Sequence, residues 1–391
     1  MSPIVRDWLK QAAIALTWVF FFSWFDWLTV LGARKRSAGT ILLVKMDAIG
    51  DFALGSPILD SLLREAQRDG RACALVCDKR SVVLANALFP DLDTIGVDTD
   101  RFASAPLYRR GVLRDVAARG PSATINLGLA HELLWSDSIV RVCGAAVREG
   151  LRGYDTRLAT WLTRLSLRWY TRVAPMRDPR AFVGDALRDA MATMGHDVAE
   201  MHAPTIRLDA KAVGKVPQGS YFALAPGSLR AIKRWPAEHF AEIAKRLHQR
   251  TGWRGVMLGA PEDGDAARQI ARIVGDIVVD FVGRTSLVEA IAIVRGSRLL
   301  VANDSALAHI AALSGVPCVA TLGGGHPGLF LPYPASATWL TPVTAVMHKM
   351  PCYYCEWRCI YPIGNSAPAP CVANIDVEDF WSAVMGAAKL A

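Results

Sequence analysis

The chain is poor in cysteine, with eight in 391 residues, and four of these (Cys73, Cys77, Cys143, Cys318) stand singly in apolar segments. That density and scatter exclude a secreted disulfide scaffold and point to a reducing compartment. Charged residues make up only 20% against 52% hydrophobic, which excludes a disordered chain. Low-complexity segments and short-period repeats are both missing, so a repeat architecture is excluded. Acidic residues are outnumbered, 36 to 44 basic, for a formal net charge of +8, and the basic residues gather in Arg109–Arg119 and Arg148–Arg188. The excess suits an anionic membrane face or an anionic substrate, and equally plain solubility. What remains is a chain long enough for two or three domains with sizeable cores.

Long apolar runs are confined to the N-terminus. Residues 12–32, AAIALTWVFFFSWFDWLTVLG, have about the length that spans a bilayer. Asp26 interrupts the run, Trp8, Trp18, Trp24 and Trp27 lie in or near it, and Arg34-Lys35-Arg36 comes directly after. Aromatics and cations at the ends fit an interfacial position. Three readings stand: a helix lying on or spanning a membrane, a cleaved signal peptide, and a helix packed on the protein itself. The cations at the end of the run disfavour cleavage and hold the downstream domain on the cytoplasmic side, so membrane association is the expectation.

After this basic stop, short apolar strands alternate with amphipathic helices. Thr40–Val44 reads as a buried strand, followed by KMDAIGD and a helical pattern over Ala53–Ala66. Ala72–Cys77 and Thr124–Leu127 read as strands, and Val82–Leu88 as a helix. A polar, Pro-containing stretch from about His202 to Gly219 reads as a connection. The pattern then restarts with strands at Tyr221–Ala225, Gly255–Leu258, Arg298–Ala302 and Pro317–Leu322, and helices at Ala237–Arg250, from GAPEDGD to Val274, and at Ser286–Arg295. The fold class is α/β, two doubly wound parallel sheets facing a cleft. The expected organisation is an apolar helix and basic stop (1–36), a first Rossmann-like domain for the acceptor (37–202), a linker (203–219), a second for the donor with a Cys-rich segment (220–375), and a C-terminal helix (376–391).

In an open parallel sheet, ligands bind beyond the C-terminal ends of the strands. Three loops of the second half occupy such places. Asn303-Asp304-Ser305 ends one strand and opens a helix of small residues (Ala306, Ala308, Ala311, Ala312), where the amides of Ser305 and Ala306 can meet an anion. Asp304 or Ser305 is a suitable N-cap, and capping with tight packing would also explain them. APGSLRAIKRWP presents Ser228 and then Lys233 and Arg234 before the next helix, with Lys233 placed to neutralise phosphate. GAPEDGD puts Glu262 and Asp263 at a third strand end, to accept from sugar hydroxyls or to cap the helix. In the first half, Gly50 permits a turn and Asp51 opens a helix; its carboxylate can take a proton from a hydroxyl, or it or Asp47 can cap the helix. Gly323–Gly328 spells GxGxxG, but Pro327 sits inside it and the acidic residue expected some twenty positions on is missing, so a nicotinamide site is a chance match.

Four segments together carry a family resemblance: ILLVKMDAIGDFALGSPILDSLL (41–63), FALAPGSLRAIKRWPAEHFAEIAKRL (222–247), VMLGAPEDGD (256–265) and VANDSALAHIAALSGVPCVATLGGGHPGLF (301–330). In order and spacing the chain resembles the lipopolysaccharide heptosyltransferases of glycosyltransferase family nine, which have the two-Rossmann GT-B fold. The resemblance implies inverting, metal-independent transfer of a sugar, most often heptose from ADP-heptose, to a hydroxyl of an anionic lipid-linked glycan. It makes Asp51 the general base and Lys233 a catalytic group at the donor phosphates. Ser228, Glu262, Asp304, Ser305, Ala306 and His309 become donor-site residues, with a packing role open for His309. The partners implied are the donor, the acceptor and the cytoplasmic face of the inner membrane, with no nucleic acid and no cofactor. The chain departs from the family at Gly323–Pro327, where GPTDP is common, and at Lys45, where Arg is common. A transferase-like binding protein without turnover and a nucleotide-dependent oxidoreductase are the alternative readings. Cys352, Cys355, Cys359 and Cys371 follow C-x2-C-x3-C-x11-C, a spacing compatible with structural zinc or with plain thiols.

Overall fold

A computed structural model describes residues 13, 16–31, 39–153, 160–364 and 366–389. Trp8, positions 12, 14, 15 and 32 of the apolar run and Arg34-Lys35-Arg36 lie outside them. The chain divides into two compact units, Met1–Pro179 with Val183–His202, and Arg180–Phe182 with Ala203–Ala391.

The first unit opens with a wide helical turn, Trp18–Phe22, running into α1 (Ser23–Val30). Strand β1 (Thr40–Lys45) then leads into α2 (Ile49–Arg68), followed by β2 (Cys73–Asp78), α3 (Val82–Leu88), β3 (Asp93–Val97), α4 (Thr99–Ser104) and α5 (Pro106–Ala118). The second half of the unit runs β4 (Pro121–Asn126), α6 (Ser136–Val142), β5 (Val147–Leu151), α7 (Thr160–Leu167), β6 (Arg172–Ala174) and α8 (Val183–Thr193). The strands form one sheet in the order β3-β2-β1-β4-β5-β6, every pairing parallel. β1 and β4 sit centrally, and Leu42, Leu43 and Val44 are buried because helices cover both faces.

α2 is longer than its apolar pattern, beginning at Ile49. Gly50 therefore lies inside the helix, not in a turn. Another glycine of this helix, Gly55, has a plain packing reason: a Cβ there would stand 2.5 Å from Cε of Lys45, whose side chain crosses the helix.

The second unit repeats the plan. α9 (Ala210–Val213) precedes β7 (Tyr221–Ala225), and a short 3-10 turn (Ala231–Lys233) leads to α10 (Ala237–Thr251). Then come β8 (Arg254–Met257), α11 (Gly264–Val274), β9 (Val278–Asp280), α12 (Leu287–Gly296), β10 (Leu300–Ala302), α13 (Ala306–Leu313), β11 (Cys318–Thr321) and β12 (Val343–Val346). Two helices, α14 (Pro370–Ala373) and α15 (Val377–Ala388), close the unit. The all-parallel order β12-β11-β10-β7-β8-β9 has the connectivity of the first sheet, with β7 and β10 in the central places of β1 and β4. α10 shows why the sequence folds this way: Phe240, Ala241, Ile243, Ala244 and Leu247 recur at helical spacing and are all buried. Gly252, left-handed at φ 70°, ends the helix. The stretch expected to be a linker, 203–219, belongs to this unit and carries α9.

Candidate nucleotide and acceptor sites

In each sheet the chain reverses direction between the two central strands, and the loops leaving them diverge there. In the second unit those loops follow β7 and β10, and Asn303 ties them together. Its side-chain N–H donates to the Pro226 carbonyl at 2.6 Å. Its Oδ1 accepts from the Trp235 amide and from the Thr321 hydroxyl, both at 3.0 Å. Asn303 is fully buried, so each of these bonds is made without competition from water. Sequence reading did not single it out; its position, a buried amide one residue before Asp-Ser at a strand end, was the available signal.

Next to it, Lys233 Nζ meets Asp304 Oδ2 at 2.6 Å and lies 5.1 Å from the centre of the Trp357 ring. Asp304 is thus not the helix cap: Ser305 holds that place, and no side chain caps the first turn of α13. The carboxylate instead fixes the lysine, whose ammonium has three N–H donors and uses one here. A positioned cation beside an uncapped helix start is a setting for a diphosphate. The third loop divides its two acids. Asp263 is buried, accepts from the Ala260 amide at 3.0 Å and pairs with Arg234 at 3.4 Å, while Glu262 is exposed. Gly227 must be glycine, since any Cβ there would overlap the Asp263 carboxylate. Ser228 is buried and its carbonyl accepts from Arg234 Nε at 2.9 Å, which holds the loop. His309 is buried one turn into α13, with Nδ1 2.8 Å from the Tyr333 hydroxyl, and burial pushes its pKa down to about 4. Burial of this kind favours the neutral imidazole, whose Nδ1 has the Tyr333 hydroxyl as its partner.

The glycines of Gly323–Gly328 also have a packing explanation. An added Cβ at Gly323 would crowd Trp357 and Val372, at Gly324 Tyr353, and at Gly325 Trp357. These glycines let the Cys-rich segment lie directly on the end of β11, which is why the letters mimic a dinucleotide motif. None of these cysteines is in a disulfide. The Gly324 amide approaches Cys371 Sγ at 3.4 Å, and Cys355 Sγ approaches the Gly324 carbonyl at 3.8 Å. Among the described residues, no group of three or more His, Cys, Asp or Glu side chains is placed to hold a metal ion. Burial raises the Cys371 pKa, and the neighbouring Cys355, Cys352 and Cys359 add to it, so the four thiols of the C-x2-C-x3-C-x11-C pattern lie near one another.

In the first unit, Lys45 is buried at the end of β1, where it pairs with Asp47 and reaches the Leu127 carbonyl beyond β4 at 3.3 Å. Asp47 is therefore engaged by Lys45, and no side chain caps α2 at its N-cap, Ala48. Asp51 lies in the first turn of α2, partly exposed, where the helix dipole favours a carboxylate. Beyond β4 stands a group that the sequence reading missed. Tyr170 OH donates to Asp137 at 2.5 Å and accepts from Asn126 Nδ2 at 2.7 Å, while His131 Nδ1 lies 3.2 Å from the same Asp137 oxygen. Glu132, beside them, has its pKa pushed up to about 8 by burial and by the nearby Asp47 and Asp137. The local signal was HELLWSD directly after a central strand. The Arg109 side chain, one of the clustered basic residues, is fully buried, and Arg119 pairs with Asp93 and Asp115.

Two tandem units of Rossmann connectivity, each with polar groups at the ends of its central strands, define an α/β protein of the GT-B fold class. The sequence model of glycosyltransferase family 9 (heptosyltransferase) matches residues 129–353, and the chain belongs to that family. Lipopolysaccharide heptosyltransferase 2 of Salmonella typhimurium is 31% identical over 122 residues, covering 30% of this chain and 34% of that protein. The chain thus aligns in sequence with about a third of that curated relative. The fold is shared over far more. A family 9 glycosyl transferase of Veillonella parvula superposes with a TM-score of 0.70 at 19% identity, covering 91% of this chain and 99% of that one. An E. coli heptosyltransferase solved with ADP-2-deoxy-2-fluoro heptose gives 0.60 at 19% identity, covering 81% and 97%.

Proposed function

We propose that this protein is an inverting glycosyltransferase that moves heptose from ADP-heptose to a hydroxyl of a lipopolysaccharide-type, lipid-linked acceptor. The observation that carries the reading is the Lys233–Asp304 pair at the uncapped start of α13, in a member of this family. The ligand of the E. coli structure, an ADP-heptose analogue, supports the choice of donor.

Displacement at an anomeric carbon passes through an oxocarbenium-like state while negative charge grows on the departing diphosphate. Lys233, held by Asp304, and the Ser305 and Ala306 amides stabilise that charge in place, with no metal ion needed for the step. Glu262, exposed at the end of β8, accepts from ribose or sugar hydroxyls. Ser228 and the Asn303 bonds keep the donor loops in register. His309 acts behind them as a neutral packing group. Asp51 takes the proton of the attacking acceptor hydroxyl. The enzyme works on the cytoplasmic side of the inner membrane, where its acceptor is anchored.

Transfer from ADP-heptose to a heptose-accepting core glycan tests the reading. Lys233→Ala should lower turnover by about 10²-fold, the usual effect of losing one donor to a developing oxyanion. Asp51→Asn should cost roughly 10²-fold or more in turnover and leave the ADP-induced thermal shift in place. Wild-type turnover in either variant overturns the role given to that residue. Absence of any ADP-induced thermal shift in the wild type overturns the donor.

A further inference from the structure

Among the described residues the N-terminal helix is mostly apolar, and one of its sides is covered. The inner side is fixed with unusual care for a short helix. Asp26 and Arg109 are both fully buried and form two parallel bonds of 2.6 Å, Nε to Oδ1 and Nη2 to Oδ2. The guanidinium lies 4.2 Å from the ring centres of both Phe22 and Phe102, and its Nη1 donates to the Phe102 and Leu134 carbonyls. Trp18 and Phe22 pack on Leu133 and Leu134, and Arg141 donates to the Ser23 carbonyl at 2.6 Å. A carboxylate in the middle of an apolar run is thereby explained: it is the pin that holds α1 along the first unit.

The outer side carries Phe21, Trp24, Trp27, Leu28 and Leu31, exposed at 49–64%. These residues succeed one another at helical steps and form one continuous apolar strip. α5, which packs against α1, adds Leu107, exposed at 81%, together with exposed Arg110 and Arg114. α7 packs Leu165 against the Trp18 and Phe22 cluster, carries exposed Arg164 with Arg168 just beyond it, and contains no acidic residue. Among the described residues, no helix is long and apolar enough to cross a membrane.

We infer that the outer strip of α1 is a bilayer-docking face: the helix lies in the plane of the membrane, its Trp24 and Trp27 rings at the headgroup level of an anionic leaflet. The aromatic and aliphatic side chains enter the headgroup–acyl boundary, and the arginines of α5 and α7 meet the anionic lipid. This rests on, and deepens, the membrane-surface part of the proposed function. A spanning orientation would require α1 to leave the Asp26–Arg109 pin and carry an unpaired carboxylate into hydrocarbon.

The test uses the full chain and vesicles, with neither donor nor acceptor added, so it succeeds or fails independently of the transfer assay. The protein should float with phosphatidylglycerol–phosphatidylcholine vesicles and far less with phosphatidylcholine alone. The double variant Trp24→Ser/Trp27→Ser should float at least tenfold less, with an unchanged urea-unfolding midpoint showing that the fold is kept. Lipids brominated at shallow acyl positions should quench the tryptophan fluorescence that distinguishes wild type from variant more than lipids brominated deep. Equal flotation of the two proteins, no flotation of either, or deeper quenching overturns the inference. So does a lipid-free dimer that the double substitution dissociates while vesicles bind neither form, because the strip would then be covered by a second copy.

Discussion

At Lys233, neighbours decide what a residue type can do. A lysine at a loop tip is ordinarily a solvated charge, whereas here Asp304 at 2.6 Å and the Trp357 ring restrict the ammonium to one place. Asp304→Asn keeps the shape and removes the charge, so the lysine is left in place but less firmly aimed. Turnover should fall by about 10- to 100-fold, as expected for small misplacement of a catalytic group, with donor binding weakened less. His309 gives a different outcome at the same helix. Its folded pKa is lowered to about 4 by burial, so between that value and the ordinary histidine value the unfolded chain binds the extra proton. Its contribution to stability is complete above the unfolded value and is lost as pH falls through this window. From pH 7 to pH 5 the wild type should lose about 2 kcal/mol more than His309→Gln, measured by urea unfolding.

At the scale of elements, two segments depend on single side chains. The end of β11 tolerates the Cys-rich segment only because Gly323, Gly324 and Gly325 leave room for Tyr353 and Trp357. Gly325→Ala should destabilise the second unit by about 1–3 kcal/mol, the usual cost of overpacking, seen as a lower denaturant midpoint. Trp357 also faces Lys233, so the same change should reduce turnover. α1 depends on Asp26. Asp26→Ala leaves Arg109 buried without its counter-charge, at a cost of about 3–5 kcal/mol. Limited proteolysis should then cut within 16–31 well before the first unit unfolds. Replacing both partners with apolar residues, Asp26→Leu with Arg109→Met, should restore most of the resistance, since the pair itself adds little beyond what packing supplies.

Over the whole molecule, one connectivity is used twice, and each unit places its polar groups where the central strands end. The second unit supplies a cation, backbone amides and an exposed carboxylate, the set that suits a nucleotide diphosphate. The first supplies Asp51 in a helix start and, past β4, Glu132 with its raised pKa. All groups proposed for the step belong to the chain. Transfer measured after exhaustive treatment with a chelator should therefore match that of untreated enzyme.

Much of the fold was legible because apolar strands and amphipathic helices alternate with short loops. β7 runs Tyr221–Ala225 as its apolar letters indicate, and α10 stops at Gly252, where a left-handed residue is needed. Strand ends were legible too, and so were the residues in their loops, because ligand sites of parallel sheets lie there. Partnership was not legible. Asp304 pairs with Lys233 across 71 positions, Asp26 with Arg109 across 83, and Asn303 collects bonds from segments 77 positions before and 18 after it. Periodicity describes neighbours along the chain, and these bonds join residues that only the folded backbone brings together. By itself the sequence determined the two Rossmann units and the family. Only the tertiary structure decided which carboxylate caps and which aims a lysine, which histidine is sealed away, and which face of the N-terminal helix is exposed. The reason is that each of these is a matter of distance and burial.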